Sequence, residues 1–406
     1  MKAKEYQPSF HIVKNIEQEI RDCVHAQLRG AALHMVQNLF SEEVERLCGP
    51  RFSRKGDESC HRTGSDPGSV LLNGQRVAVK KQRVKKGGEE LTLQSYSALQ
   101  HYDLLCERVM KHMLSGVSTR NYEPLLDELE GGLGLKKSTV SKAFIDGSQQ
   151  LLDEMNSRDL SAHEFCSIML DGVGFGDRTI ITALGITLKG KKLILGLKEG
   201  DTENWEVAKD LFQNLIDRGL KTDTPILFVI DDSKALRKAI RKVFGNAPVQ
   251  RCVRHKERNI IAYLNPEHHQ EFRRRWKKLH GYAHYDAALA EYQLLSHWLT
   301  QMNYEAAQSL AEAEMETLTV IKLNTPALLR KTLLSTNPIE SAFSLAKNKM
   351  GRVKNWKSAP DQLSRWAAST LSAVEARFIM VKGFKEIPVL MAELKKLAVE
   401  NRQEVA

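Results

Sequence analysis

Between residues 164 and 256 the apolar and polar positions change period in an orderly way. EFCSIMLDGV, RTIITALGITL and KKLILGLKEG are short runs rich in Ile, Leu and Val, and Lys189-Gly190 supplies a turn between the last two; each run predicts a strand. NWEVAKDLFQNLIDRGL instead spaces Trp205, Leu211, Leu215 and Leu220 on or near one helical face. PILFVIDD is apolar almost throughout, as befits a central strand covered on both faces. SKALRKAIRKVFG predicts a second helix and APVQRCVRH a fifth strand. The resulting order is strand, strand, strand, helix, strand, helix, strand.

A three-stranded meander continued by right-handed crossovers makes the first and fourth strands neighbours at the sheet centre. The predicted fold class is therefore α/β, a ribonuclease H-like mixed sheet. Its first part spans residues 161–256. The chain then turns long, polar and helical, which predicts an α-helical insertion over 257–335. A helix opening near Pro338 returns the chain to the core, and residues 336–406 complete it with C-terminal helices.

The preceding segments have other periods. In residues 1–50, Ile12, Ile16, Ile20, Val24 and Leu28 recur at every fourth position and predict amphipathic helix. In residues 51–97, SVLLNGQRVAVK sets Asn73-Gly74 between two alternating runs, a strong hairpin signal because both turn residues need positive φ. Residues 98–160 return to helix. Within them, Tyr122 to Leu129, a break at Gly131-Gly132-Leu133-Gly134, and a short helix from Lys137 to Phe144 predict a helix-turn-helix.

Charge sharpens this picture. The chain has 406 residues and a net charge of +10, with 42% hydrophobic and 27% charged residues, which favours a soluble protein with a polyanionic partner. Residues 51–86 hold ten Lys and Arg against three acids. Arg76, Lys80, Lys81 and Arg83 on the hairpin are candidates to lie along a DNA backbone. So are Lys137, Ser138, Thr139 and Lys142 on the second short helix, with Arg251, Arg258, Lys347 and Arg352 further on. No apolar run approaches the roughly 18 residues of a membrane span, and the N-terminus lacks a signal-peptide core. The expected location is cytoplasmic and nucleoid-associated, with no membrane partner. Six cysteines form no C-x-x-C pair, so buried thiols are expected and no disulfide framework.

The candidate chemistry lies in three acids. Asp171 closes the first predicted strand, Asp231 closes the fourth, and Glu340 opens the helix after Pro338. Carboxylates so placed suit two Mg²⁺ ions about 4 Å apart acting on a phosphodiester, with Mn²⁺ as a substitute. Asp232 is a second possible ligand beside Asp231.

These residues lie in blocks that together resemble the Mutator-like transposases of bacterial insertion sequences. The blocks are GSDPGSVLLNGQRVAVKKQRV, GVSTRNYEPLL, LDGVGFG, ALGITLKGKKLILGLKEGDTENW, LFVIDDSKALRKAIRKVFGNAPVQRCVRHKERNI and TNPIES. The resemblance implies a DDE triad of Asp171, Asp231 and Glu340 in a ribonuclease H-like domain with a helical insertion. The family's second Asp sits in D-G-x-K-G-L, which here reads Asp231-Asp232-Ser233-Lys234-Ala235-Leu236, with Asp232 in the place of Gly. The family's C-x-x-H pair falls on Cys252 and His255, where two ligands alone do not make a metal site. The implied activity is Mg²⁺-dependent hydrolysis at transposon ends, giving a 3′-OH, then strand transfer. The implied partners are terminal inverted repeats, target DNA and a second copy in a homodimer or larger homo-oligomer. Two rivals stay open: a catalytically inactive transposase-derived DNA-binding protein, and another ribonuclease H-like nuclease.

Overall fold

A computed structural model describes residue 30 and residues 33–51, 60–72, 75–100, 110, 137–200, 204–350, 353 and 361–405. The chain forms two compact units, residues 1–147 and 148–406. The helices expected over Ile12 to Leu28 and Tyr122 to Leu129, the Asn73-Gly74 turn and the Gly131 to Gly134 break lie outside the described residues.

In the first unit, a helix over residues 33–48 (α1) buries Val36, Phe40 and Val44 along one stripe. That stripe packs on Cys60, Val70, Val79, Val84 and Leu93. The hairpin strands β1 (Cys60–Leu72) and β2 (Gln75–Lys86) pair antiparallel from Cys60↔Lys86 to Leu72↔Gln75. They run well beyond the alternating stretch that predicted them. A third strand, β3 (Glu89–Leu91), follows a Gly87-Gly88 turn with both φ values positive, and its two glutamates gave no apolar signal. Glu43 of α1 accepts the backbone N–H groups of Gln94 (2.6 Å) and Ser95 (2.9 Å), the start of the short helix α2 (Gln94–Ala98). The division between units falls inside α3 (Lys137–Ser157). The short second helix expected from Lys137 to Phe144 is thus the beginning of a 21-residue helix. No proline interrupts it, and its single glycine, Gly147, is tolerated in the interior.

The second unit is built on a five-stranded mixed sheet. β4 (Phe165–Phe175), β5 (Arg178–Thr187) and β6 (Lys192–Glu199) form the meander. α4 (Trp205–Asp217) leads to β7 (Leu227–Ile230), and α5 (Lys234–Phe244) to β8 (Val249–Arg251). The order across the sheet is β6-β5-β4-β7-β8, antiparallel within the meander and parallel at β4–β7 and β7–β8. Asn204 caps α4 by accepting the Glu206 N–H (2.9 Å). Gly219 closes that helix at φ +90°, where Leu220 N–H returns to Leu215 O (3.0 Å).

One face of the sheet presents Ile168, Leu170, Phe228 and Ile230 to Leu211, Leu215, Leu236 and Ile240 of α4 and α5. Phe228, Phe212 and Phe244 form a triangle of rings, with Phe228 5.7 and 4.7 Å from the other two centroids and those two 5.1 Å apart. Each such buried side chain stabilises the fold by about 2 kcal/mol. Period-two alternation turns the intervening residues of β4 and β7 to the opposite face.

The fifth strand is shorter than expected. It ends at Arg251, and Cys252 begins a new helix, α6 (Val253–Ala262). Cys252 N–H still bonds Ile230 O (2.7 Å), but Val253 N–H turns away to Leu334 O (2.9 Å). The insertion continues as α7 (His269–Leu279), α8 (Tyr285–Met302), α9 (Tyr304–Glu312), α10 (Thr319–Lys322) and α11 (Ala327–Leu333). The basic run Arg273 to Lys278 hides Trp276, which stacks on Phe272 and donates to Val253 O (3.2 Å). α12 (Asn337–Met350) then packs on β4 and α13 (Gln362–Glu375) on β6, before α14 (Ile387–Val405). Among the described residues no helix is long and apolar enough to cross a membrane.

His280, at the end of α7, makes this unit acid-sensitive. Its Nδ1 donates to Trp276 O (2.9 Å), and its Nε2 is sealed from solvent. Burial, with help from Arg330, pushes the imidazole down to about 4. Between about 6.5 and 4 the unfolded chain binds a proton that the folded chain refuses, so stability falls as pH drops through that window. The expected loss is about 3 kcal/mol at about 1.4 kcal/mol per pH unit. Urea unfolding from pH 7 to pH 4 is expected to show this slope and to lose roughly one proton of it in His280→Gln.

Candidate active site

Register brings the two aspartates together. In the parallel β4–β7 pair Leu170 lies opposite Ile230, so Asp171 and Asp231 follow at matching positions on adjacent strands. Leu170 and Ile230 face α4 and α5, so both aspartates turn to the side that carries α12. Asp171 is almost wholly buried, and its Oδ1 accepts its neighbour's N–H, Gly172 (2.9 Å). Asp231 is half-buried and accepts Ser233 N–H (2.9 Å). Ser233 in turn caps α5 through Leu236 N–H (3.2 Å), so one turn fixes both the helix start and the carboxylate.

Glu340 arrives from α12. Thr336 precedes that helix, and its carbonyl accepts the N–H groups of Ile339 (2.9 Å) and Glu340 (3.1 Å). Thr336 is anchored from the other side of the site: its N–H and Oγ1 reach Cys252 Sγ at 3.4 and 3.5 Å. Its Oγ1 also lies 3.5 Å from His255 Nδ1. His255 Nε2 stands 3.6 Å from Glu340 Oε1, and Arg258 donates to Glu340 Oε2 at 3.3 Å. The C-x-x-H pair is thereby part of the carboxylate cluster, linking β8–α6 to the start of α12.

The charges follow from this crowding. Burial drives Asp171 up to about 7; His255 and Thr336 pull it down, while Asp231 and Glu340 push it further up. Burial also raises Asp231, against the Ser233 N–H and the charge of His255. The hydrogen bond with Cys252 lifts His255 to about 9 against its burial, and Asp171 and Glu340 add to the lift. Burial opposes ionisation of Cys252, yet His255 and Thr336 hold the thiol below its ordinary value.

The oxygens present fit a divalent cation. Glu340 Oε1 is sealed from solvent without a hydrogen bond, and its nearest positive group, His255, stands 3.6 Å away, beyond hydrogen-bond reach. Two further carboxylates with raised affinity for protons share the site, and an oxygen-rich anionic set is what Mg²⁺ takes. Cys252, His255 and Glu340 also bring donor atoms within 4.8 Å of one another, but the sulfur and the imidazole are already engaged with Thr336 and with each other.

Asp232 points into a different network. It pairs with Lys256, almost wholly buried, and accepts from Asn259 (2.7 Å), with Arg251 at 3.8 Å. Lys256 also donates to Ser309 O of α9 (2.8 Å). Arg251 is buried and spends its guanidinium on Glu316 (2.8 Å), so it offers no surface to a phosphate, contrary to expectation. Glu316 and Lys256 carried no local signal of these roles.

The remaining candidates differ in what surrounds them. Lys80 and Lys142 are exposed, and Lys81 lies over the Tyr96 ring (5.2 Å). Arg83 is partly neutralised by Glu90 (3.1 Å) and Asp66 (3.4 Å). Lys347 is exposed, 5.5 Å from the Phe175 ring centre. Arg76 lies in β2, and Lys137, Ser138 and Thr139 open α3, but their side chains are outside the described residues, as is all of Arg352.

Asp171 does not close its strand as expected, since β4 continues to Phe175 through pairing with β5, whereas Asp231 does follow the end of β7. A mixed sheet whose two adjacent central strands bring two carboxylates together, met by a third from a later helix, defines an acidic class of site. The chain belongs to the Mutator family of transposases, whose family model matches residues 4–373. It is similar to the transposase for insertion sequence element IS1201 of Lactobacillus helveticus, 27% identical over 352 residues, covering 83% of this chain and 92% of that protein. It is also similar to the transposase for insertion sequence element ISRM5 of Rhizobium meliloti, 30% identical over 334 residues, 77% of this chain and 79% of the other. A transposase for insertion sequence element IS256 in transposon Tn4001 of Staphylococcus aureus is 25% identical over 313 residues, 74% of this chain and 77% of its own length.

Two substitutions separate the roles of these side chains. Asp232→Asn leaves the buried Lys256 charge uncompensated and is expected to cost about 3 kcal/mol in urea unfolding. In Asp231→Asn a half-buried carboxylate beside other carboxylates is removed, and stability is expected to hold or rise. Thr336→Val removes the single hydroxyl that faces Cys252 and His255 and is expected to cost about 1–2 kcal/mol, with Thr336→Ser close to the parent.

Proposed function

We propose that this chain is a DDE-type DNA transposase whose second unit is a ribonuclease H-like catalytic domain interrupted by the helical segment 257–335. The observation that carries the reading is the meeting of Asp171, Asp231 and Glu340 on one side of the central strand pair. Family membership supports it by giving that acidic site a DNA substrate. Asp171, Asp231 and Glu340 would hold two Mg²⁺, or Mn²⁺ in its place. When bound, these ions supply activation of the attacking oxygen and charge neutralisation at the departing one.

The protein's own groups set the rest of the chemistry. The carboxylates are held by the β4–β7 register and by the Thr336 anchor, so they need little reorganisation when substrate arrives. His255 stands beside Glu340 and Asp171 as a resident positive group, and Arg258, exposed next to Glu340, is placed to meet a phosphate oxygen. In the first step water adds to phosphorus at a transposon end as the bond to the 3′ oxygen breaks, leaving a 3′-OH and a 5′-phosphate. In the second that 3′-OH attacks a target phosphodiester, and one P–O bond replaces another. Bond exchange of this kind needs no external energy source and no covalent enzyme intermediate. Terminal inverted repeats and target DNA are the proposed partners, bound by at least two copies of the chain so that two ends are held together.

The test is incubation of the purified chain with labelled DNA carrying the repeats that flank its own gene, in Mg²⁺, beside Asp231→Asn. Nicking at the repeat and joining to a second duplex are expected, both lost in the variant while repeat binding persists. Binding without nicking by the parent chain would instead mark it as a DNA-binding protein without catalysis. Nicking without joining would mark it as a nuclease.

A further inference from the structure

The first unit holds two thiols in a position that the active site does not use. Cys48 is the last residue of α1 and Cys60 the first of β1, and their sulfurs lie 3.2 Å apart. A disulfide needs about 2.05 Å, so closure requires the sulfurs to approach by only about 1 Å. The surroundings hold both ends in place. Cys60 belongs to the apolar cluster of Val36, Phe40 and Val44, and Cys48 packs on its edge. Arg62, two residues into β1, donates to the carbonyl of Gly49 (2.5 Å), beside Cys48. A second strap therefore already joins the same two backbone segments.

We infer that Cys48 and Cys60 form a reversible disulfide that staples the end of α1 to the base of the basic hairpin when the surroundings become oxidising. The proposal stands apart from the catalytic reading, since it concerns only the first unit. Cys48 is the more accessible thiol and Cys60 is buried, which assigns their order of action. Cys48 as thiolate attacks a low-molecular-weight disulfide, forming a mixed disulfide and releasing one small thiol. Cys60 then loses its proton and attacks the Cys48 sulfur, releasing the second small thiol. Two protein thiols are oxidised by two electrons and one small disulfide is reduced to two thiols. In a reducing compartment a bond of this kind is transient and returns to dithiol with the thiol pool.

The other described cysteines are unlike this pair. Burial pushes Cys166 up to about 12, and its sulfur donates to Ile186 O (3.4 Å), so it is not a thiolate at neutral pH. Cys252 is occupied with Thr336 and His255.

The full-length protein, equilibrated in buffers of increasing oxidised-to-reduced glutathione ratio, is quenched with acid and N-ethylmaleimide, digested and read by mass spectrometry. A peptide linking Cys48 to Cys60, lighter by two hydrogen atoms than its parts, is expected to grow with the ratio. It is expected to vanish with dithiothreitol, while maleimide labelling of both residues falls in step. Cys48→Ser and Cys60→Ser should each lose the linked peptide, and Cys166→Ser should keep it. The unsubstituted chain carries the test even if a variant fails to fold. Full maleimide labelling of both residues in the most oxidising buffer would overturn the proposal. So would Cys48 held as a stable glutathione adduct that Cys60 never displaces, or a linkage of either residue to another cysteine.

Discussion

The parallel pairing of β4 with β7 is the constraint around which the second unit is organised. Two strands far apart in the chain share a register in which Leu170 meets Ile230, and the next residue of each is an aspartate. Apolar burial against α4 and α5 fixes that register, because a one-residue slip would turn Ile168, Leu170, Phe228 and Ile230 out of the core. The same register forces two carboxylates together in a half-sealed place. Like charges about 4 Å apart at an effective dielectric near 20 repel by about 4 kcal/mol. The hydrophobic core thus holds an arrangement that its own electrostatics oppose.

The neighbouring structure answers that opposition with placed groups. His255 stands among the carboxylates as a counter-charge, and Thr336 joins it to Cys252 and to the start of α12. Glu340 therefore reaches the site from a helix whose first turn is tied to the end of β8. The insertion between them can be long because its return point is fixed: Val253 N–H bonds Leu334 O, closing the excursion where it began. Local anchoring at both ends lets a helical excursion of this size leave the triad geometry intact.

Much of the sheet was legible because its signals are local. Strand runs in β4 to β7 are dense in branched apolar residues, and α4 and α5 show clean helical spacing, so element order and the pairing of Asp171 with Asp231 could be reasoned from sequence. The misses have a common cause. β3 carries two exposed glutamates and is held by its partner strand and by the packing of its one apolar residue, Leu91. β8 ends early because, one residue after Cys252 has made its last bond to β7, Val253 finds its partner on a distant segment at Leu334. Arg251 looked like a surface cation and is a buried one, its partner Glu316 lying far along the chain. Asp232 could not be told from Asp231 by composition; Lys256 and Asn259 separate them only in three dimensions.

Lys256 touches two things at once: Asp232 just past the end of β7, and the carbonyl of Ser309 in α9. Its ammonium is the joint between the end of β7 and the helix α9, and the charge it meets there is the one Asp232 supplies. Neutralising that acid would loosen the hold of the strand end on the helical segment without touching either neighbouring carboxylate.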